Sequence, residues 1–167
     1  MMKRFSLINF ILFQSSWALA ATLPANAPFF MLILLGVHFL ITPSRMDDVF
    51  LLLCALIGIA LDQTFIAFSL LDVGQNWVPF WLILLWGHFI LCLNHSLKWL
   101  RQLNIIVIGL LGAVAGTFSY WMGWRLGVFD TQFTTGLFLV SYTLAWGILL
   151  PIFCQLANRI QNRHAHS

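Results

Sequence analysis

Six apolar runs, parted only by short polar breaks, take up almost the whole chain: residues 5–23, 28–42, 49–71, 77–97, 104–124 and 132–156. A helix rises about 1.5 Å per residue, so about 20 largely apolar residues cross a hydrocarbon core roughly 30 Å thick. The second run is the weakest, reaching only about 22 Å as straight helix. It is expected to begin earlier, to thin the bilayer locally or to be partly re-entrant. Composition excludes most water-soluble alternatives. Of 167 residues 61% are hydrophobic and 8% charged, and the acids are five Asp with no Glu. So few charges do not cover a water-facing surface. The expected fold is an all-α polytopic transmembrane helix bundle of six spans, a single domain over residues 1–167 without a soluble part.

The breaks carry turn chemistry: Pro24 and Asn26, Pro43 and Ser44, Gly74 to Asn76, and Gly127 to Thr131. Short links make sequence neighbours antiparallel neighbours in space. No internal repeat argues for an inverted-repeat transporter. With the N-terminus inside, Lys3, Arg4, Arg45, Lys98, Arg101, Arg159 and Arg163 fall on the cytoplasmic side and only Arg125 outside. That asymmetry places both termini in the cytoplasm. It also reads the net charge of +3 as a topology signal, with no nucleic-acid partner. Lys3-Arg4, an apolar stretch and Ala18-Leu19-Ala20 also fit a cleavable signal peptide, but Asn9, Gln14, Ser15 and Ser16 interrupt its apolar core. A retained first helix fits better. Cys54, Cys92 and Cys154 lie in separate apolar stretches without a CxxC pair and read as buried side chains.

Gly109, Gly112, Gly116, Ser119 and Gly123 follow one another at spacings of 3, 4, 3 and 4, which sets them on one helical face. A face without side chains lets a neighbouring backbone approach closely. It serves either a contact within the chain or a homodimer face. Pro151 removes the hydrogen bond that the Gly147 carbonyl would accept, so a kink is expected there. Trp77, Trp99 and Trp124 stand near span ends as interface anchors, while Trp17, Trp86 and Trp146 fall deeper.

Ionisable groups at membrane depth are costly, and each one is a functional hypothesis. Counting the rise along each span groups Asp62, Gln63, Ser119, Tyr120 and Arg125 in the outer half, and Gln14, His38 and His88 near the midplane. Asn9, Asn94, His95, Ser96, Lys98 and Arg101 fall at the cytoplasmic edge. Two readings of Asp62 and His88 stand side by side. In one they change charge along a proton or solute path, with Arg125 biasing Asp62 towards its ionised form. In the other, Asp62 is hydrogen-bonded to Tyr120 or Ser119 and fixes helix register. The chain has no G-x-S-x-G, H-E-x-x-H or P-loop, and no pair of intramembrane carboxylates. Neither a Ser-His nucleophile at Asn94-His95-Ser96, a metal site from Cys54, Cys92 and His95, nor a His164–His166 ligand pair is expected. No metal and no cofactor enter this reading.

Asn9-x-x-x-Phe13-x-x-x-Trp17, Asp62, the string Leu93-Asn94-His95-Ser96-Leu97-Lys98-Trp99-Leu100, and the glycine-rich stretch from Gly116 through Tyr120 to Gly127 fit one pattern. Together they resemble the small proteobacterial inner-membrane family catalogued as domain of unknown function 2878. The resemblance implies a retained first span and no assigned activity. It also implies a frequent neighbourhood of enzymes resembling cyclopropane-fatty-acid synthases. The functional expectation is a non-catalytic partner or scaffold in the bilayer, linked to lipid modification or envelope stress and contacting another membrane protein or a second copy. A proton-linked carrier using Asp62 and His88, and a lipid enzyme with its head-group site at Asn94, His95, Lys98 and Arg101, are the alternatives.

Overall fold

In the computed structural model, which describes residues 2–164 and the side chains of residues 4–162, the chain is helical throughout. In order come α1 (Met2–Thr22), α2 (Ala27–Ile41), α3 (Arg45–Leu52), α4 (Ala55–Ala67) and α5 (Phe80–Asn94). A 3-10 turn over Lys98–Gln102, then α6 (Ile105–Arg125) and α7 (Thr135–His164), complete it. The side chains of Lys3, Arg163 and His164, together with Ala165 and His166, lie outside the described residues. Four segments are long and apolar enough to cross a membrane: Arg4–Thr22, Arg45–Ala67, Ile105–Arg125 and Thr135–Asn162. The remaining two, α2 and α5, are apolar helices of 15 residues each.

The third segment starts earlier than residue 49 because Asp47 and Asp48 occupy the first turn of α3, where carboxylates meet the positive end of the backbone dipole. It breaks into α3 and α4 at Leu53 and Cys54, where amides bond three residues back instead of four. No Pro or Gly stands at the break. The fourth run is helical only from Phe80, because Pro79 begins in extended backbone. The last helix runs past residue 156 and stays helical through Pro151. The Gly147 carbonyl that Pro151 leaves without its amide faces α6, and a Cβ at Gly109 would stand 3.0 Å from that oxygen.

Two helix ends close in the same way. At the end of α6, Val128 N–H bonds Gly123 O and Gly127 N–H bonds Trp124 O, with Gly127 at φ 74°. At the end of α4, Leu70 N–H bonds Phe65 O and Ser69 N–H bonds Ile66 O, but here Ser69 takes φ 58°. Both are Schellman closures, which need a left-handed residue.

α5 is the central helix, packed against α1, α2, α3, α4 and α7, and ten of its residues are buried. α6 and α7 form the most intimate pair. Hydrogen bonds from Ser96 to Asn9 and from Arg101 to Gln161 put the start of α1 and the last turns of α7 at one end of the bundle. At the opposite end, Asp72 and Asp130 join two loops through reciprocal backbone bonds of 2.8 Å.

Candidate functional site

Three features are built from polar or unfilled space. The first is a cleft of about 570 Å³ whose walls come from α1, α5, α6 and α7. Phe13, Gln14 and Trp17 of α1 face Leu111, Ala115 and Ser119 of α6, and Trp86 and Trp146 form part of the floor. Gln14, Leu111, Ala115 and Phe118 are exposed, so the cleft opens sideways between α1 and α6. Across it, Trp17 Nε1–H donates to Ser119 Oγ at 2.9 Å. At its terminal end the wall is Leu97, Trp99 and Leu100, in the same turn as Lys98 and Arg101. Partial burial and the nearby Arg101 guanidinium both lower the Lys98 ammonium below its usual range, against the pull of Asp47. Arg101 is 8% exposed; its Nη2 donates to Gln161 Oε1, while Nε and Nη1 find no partner among the described residues.

The second feature is the Asp62 network. Gly58 and Asp62 lie one turn apart on α4, and the Trp86 indole rests flat where a Gly58 side chain would stand. From there its Nε1–H donates to Asp62 Oδ2 at 2.6 Å. The Tyr120 hydroxyl donates to both Asp62 oxygens at 2.8 Å. Trp86 stacks on Trp146 with centroids 5.3 Å apart, and Trp146 in turn covers Gly116 of α6. Two glycines thus enclose two stacked indoles. Asp62 itself is 0% exposed.

The third feature lies at the terminal end, where α2 and α5 finish. Asp48 on α3 is 0% exposed and receives His38 Nε2 from α2 on Oδ2 at 3.1 Å. His95 Nε2, just past α5, approaches Oδ1 and Oδ2 at 2.9 and 3.0 Å. Thr42 Oγ1 donates to Oδ2 at 2.5 Å, and Asn94 Nδ2 donates to Oδ1 at 2.7 Å and to Ser44 Oγ at 3.1 Å. The Phe5 ring covers both imidazoles, with centroids 5.4 and 4.6 Å away. Four segments supply this centre, and Asp48 unites them.

A family profile described as Protein of unknown function (DUF2878) matches residues 6–152. The chain belongs to that family. No curated protein and no solved structure matches it. The matched stretch contains all three features except Phe5 and the last turns of α7 that hold Arg101.

Within this family member the residues singled out from sequence do not stay in their three depth layers. Asp62 and Tyr120 meet, but Gln63 instead pins the loop after α4 through Asn76 O and Val78 N–H. Ser119 serves Trp17, and Arg125 stands exposed at the end of α6, apart from the Asp62 network. His88 donates to Met31 O at 3.1 Å, on the α2 side of α5. Gln14 lines the cleft. His38 is not a midplane partner of His88: it sits near the end of α2 and joins His95 and Asp48. Asn9 accepts from Ser96 N–H and Oγ–H, and Asn94 turns towards Asp48. Gly109, Gly112 and Gly116 face α7, and Gly123 faces Phe129.

Depth counting missed Asp48, Thr42 and Ser44 entirely. His38, Asp48 and His95 offer three ligand-type atoms within 4.8 Å of one another. The signal that was available is the acidic first turn of a helix, which extends the third segment back to Arg45.

Proposed function

We propose that the chain is a multi-pass protein of the bacterial inner membrane, both termini cytoplasmic, whose lateral cleft holds one acyl chain of an anionic phospholipid. In this role it is a non-catalytic partner of lipid modification. The cleft carries the reading. It is apolar, lies within the roughly 300–1,000 Å³ of ligand sites, and opens sideways where lipid surrounds the helices. From Leu111 to Gly123 its α6 wall runs about 18 Å, the scale of a lipid tail. Lys98 and Arg101 flank its terminal end, as an anionic head group requires. Arg4, Arg45 and Arg159 share that end and, among the described residues, Arg125 is alone at the other, which supports a cytoplasmic terminal end. The carrier alternative draws less support. Asp62 is enclosed by Trp86 and Tyr120, and His88 faces away from it towards Met31.

The test is lipid mass spectrometry of the chain purified in mild detergent, with tryptophan quenching by brominated-acyl phosphatidylglycerol in nanodiscs. Wild type should retain anionic phospholipid and be quenched. Ala115→Phe, which fills the cleft from an exposed wall position, should lose most of both. Equal retention and quenching in the variant would defeat the acyl-chain reading. Comparative lipidomics of a deletion strain tests the link to lipid modification; an unchanged profile counts against it.

A further inference from the structure

We infer that His38, Asp48 and His95 form a binding site for one divalent transition-metal ion at the terminal end of the bundle. The inference goes beyond the lipid role and does not rest on it. Both imidazoles present the same atom, Nε2, to one carboxylate: His38 at 3.1 Å and His95 at 2.9 and 3.0 Å. Around an ion bonded tetrahedrally at about 2.0–2.1 Å, ligand atoms stand about 3.3 Å apart. The two nitrogen-to-oxygen edges differ from that by a few tenths of an ångström, and the two nitrogens lie within 4.8 Å of each other. Thr42 Oγ1, 3.4 Å from His95 Nε2, is a further oxygen at the same centre.

Charge points the same way. Asp48 is fully buried, and its ion-pair partners among the described residues are the two histidines, with no Lys or Arg. A buried carboxylate needs a counter-charge. A divalent ion supplies it and takes both imidazoles as ligands. Asn94 fixes the carboxylate from outside, donating to Oδ1 at 2.7 Å while held to Ser44, the outer-shell arrangement that orients metal ligands. Two nitrogens and one carboxylate select Zn²⁺, Fe²⁺ or Co²⁺ over Ca²⁺ and Mg²⁺, which take oxygen. An open depression lined by Thr42, Pro43, Ser44, Arg45, Met46 and Asp47 lies beside the centre and shares Thr42 with it.

The same atoms also satisfy one another as a metal-free hydrogen-bond network, and experiment separates the two. The full chain is purified without a metal-affinity tag, carries His164→Ser and His166→Ser, is stripped with chelator, and is titrated calorimetrically with Zn²⁺. One Zn²⁺ should bind per chain. His38→Ala and His95→Ala should each weaken binding by more than about 100-fold, and Asn94→Ala by about 10- to 100-fold. His88→Ala, which removes a buried imidazole elsewhere, should leave it unchanged, and Mg²⁺ should not compete. Wild type loaded with Co²⁺ should show visible absorption bands that Zn²⁺ abolishes, a readout independent of how any variant folds. Absent bands with no Zn²⁺ heat, or affinity unchanged in both histidine variants, would overturn the inference. Either failure leaves the cleft test untouched.

Discussion

Trp86 does two things with one ring: its face replaces the missing side chain of Gly58, and its edge supplies a donor to Asp62. Asp62 accepts from two side chains. In Asp62→Leu both acceptor oxygens go, so the buried Trp86 N–H and Tyr120 O–H are each left unpaired at about 1–3 kcal/mol. Thermal unfolding in detergent should show that loss, with Zn²⁺ binding at the distant terminal end unchanged. The pairing of Asp62 with Tyr120 was legible because both are polar residues deep in their spans at similar height. Asp48 was not legible by that logic, since hydropathy discards an acid at the margin of an apolar run. Its burial depends on two short helices ending together, which no local window contains.

Ser69 marks where an element departs from its best sequence. A left-handed residue costs a β-carbon roughly 1–2 kcal/mol, and the equivalent closure of α6 uses Gly127. Ser69→Gly should therefore stabilise the chain, by about 0.5–1 kcal/mol after the added freedom of the unfolded glycine. A rise in melting temperature checks it. Asn104 caps α6 by accepting Ile106 N–H at 2.8 Å, and Asn104→Ala should cost about 1 kcal/mol in the same assay. The α6 glycine spacing was readable from sequence as a packing face, but which helix it met was not. Backbone proximity to Gly147 and Trp146 answers that: a side chain at Gly112 would collide with the Trp146 carbonyl and Leu150. Gly112→Leu should destabilise by at least the roughly 1–3 kcal/mol of overpacking.

At the scale of the molecule, the order and number of apolar segments follow from hydropathy, and their lengths do not. Pro79 delays α5, the acidic turn advances α3, and α7 outruns its apolar stretch because polar residues continue a helix once packing has started it. Reporter fusions at Gly74 and Val128 should read extracytoplasmic, and a fusion after Gln102 cytoplasmic; the reverse pattern would invert the whole arrangement. α2 and α5 lie side by side and each rises only about 22 Å, shorter than α1, α6 and α7. A bilayer meeting such a pair must dip towards them or admit water over their ends. Such a pair would dimple a membrane surface, and thicker, sterol-like or long-chain bilayers should lower the protein's stability by squeezing that hollow shut.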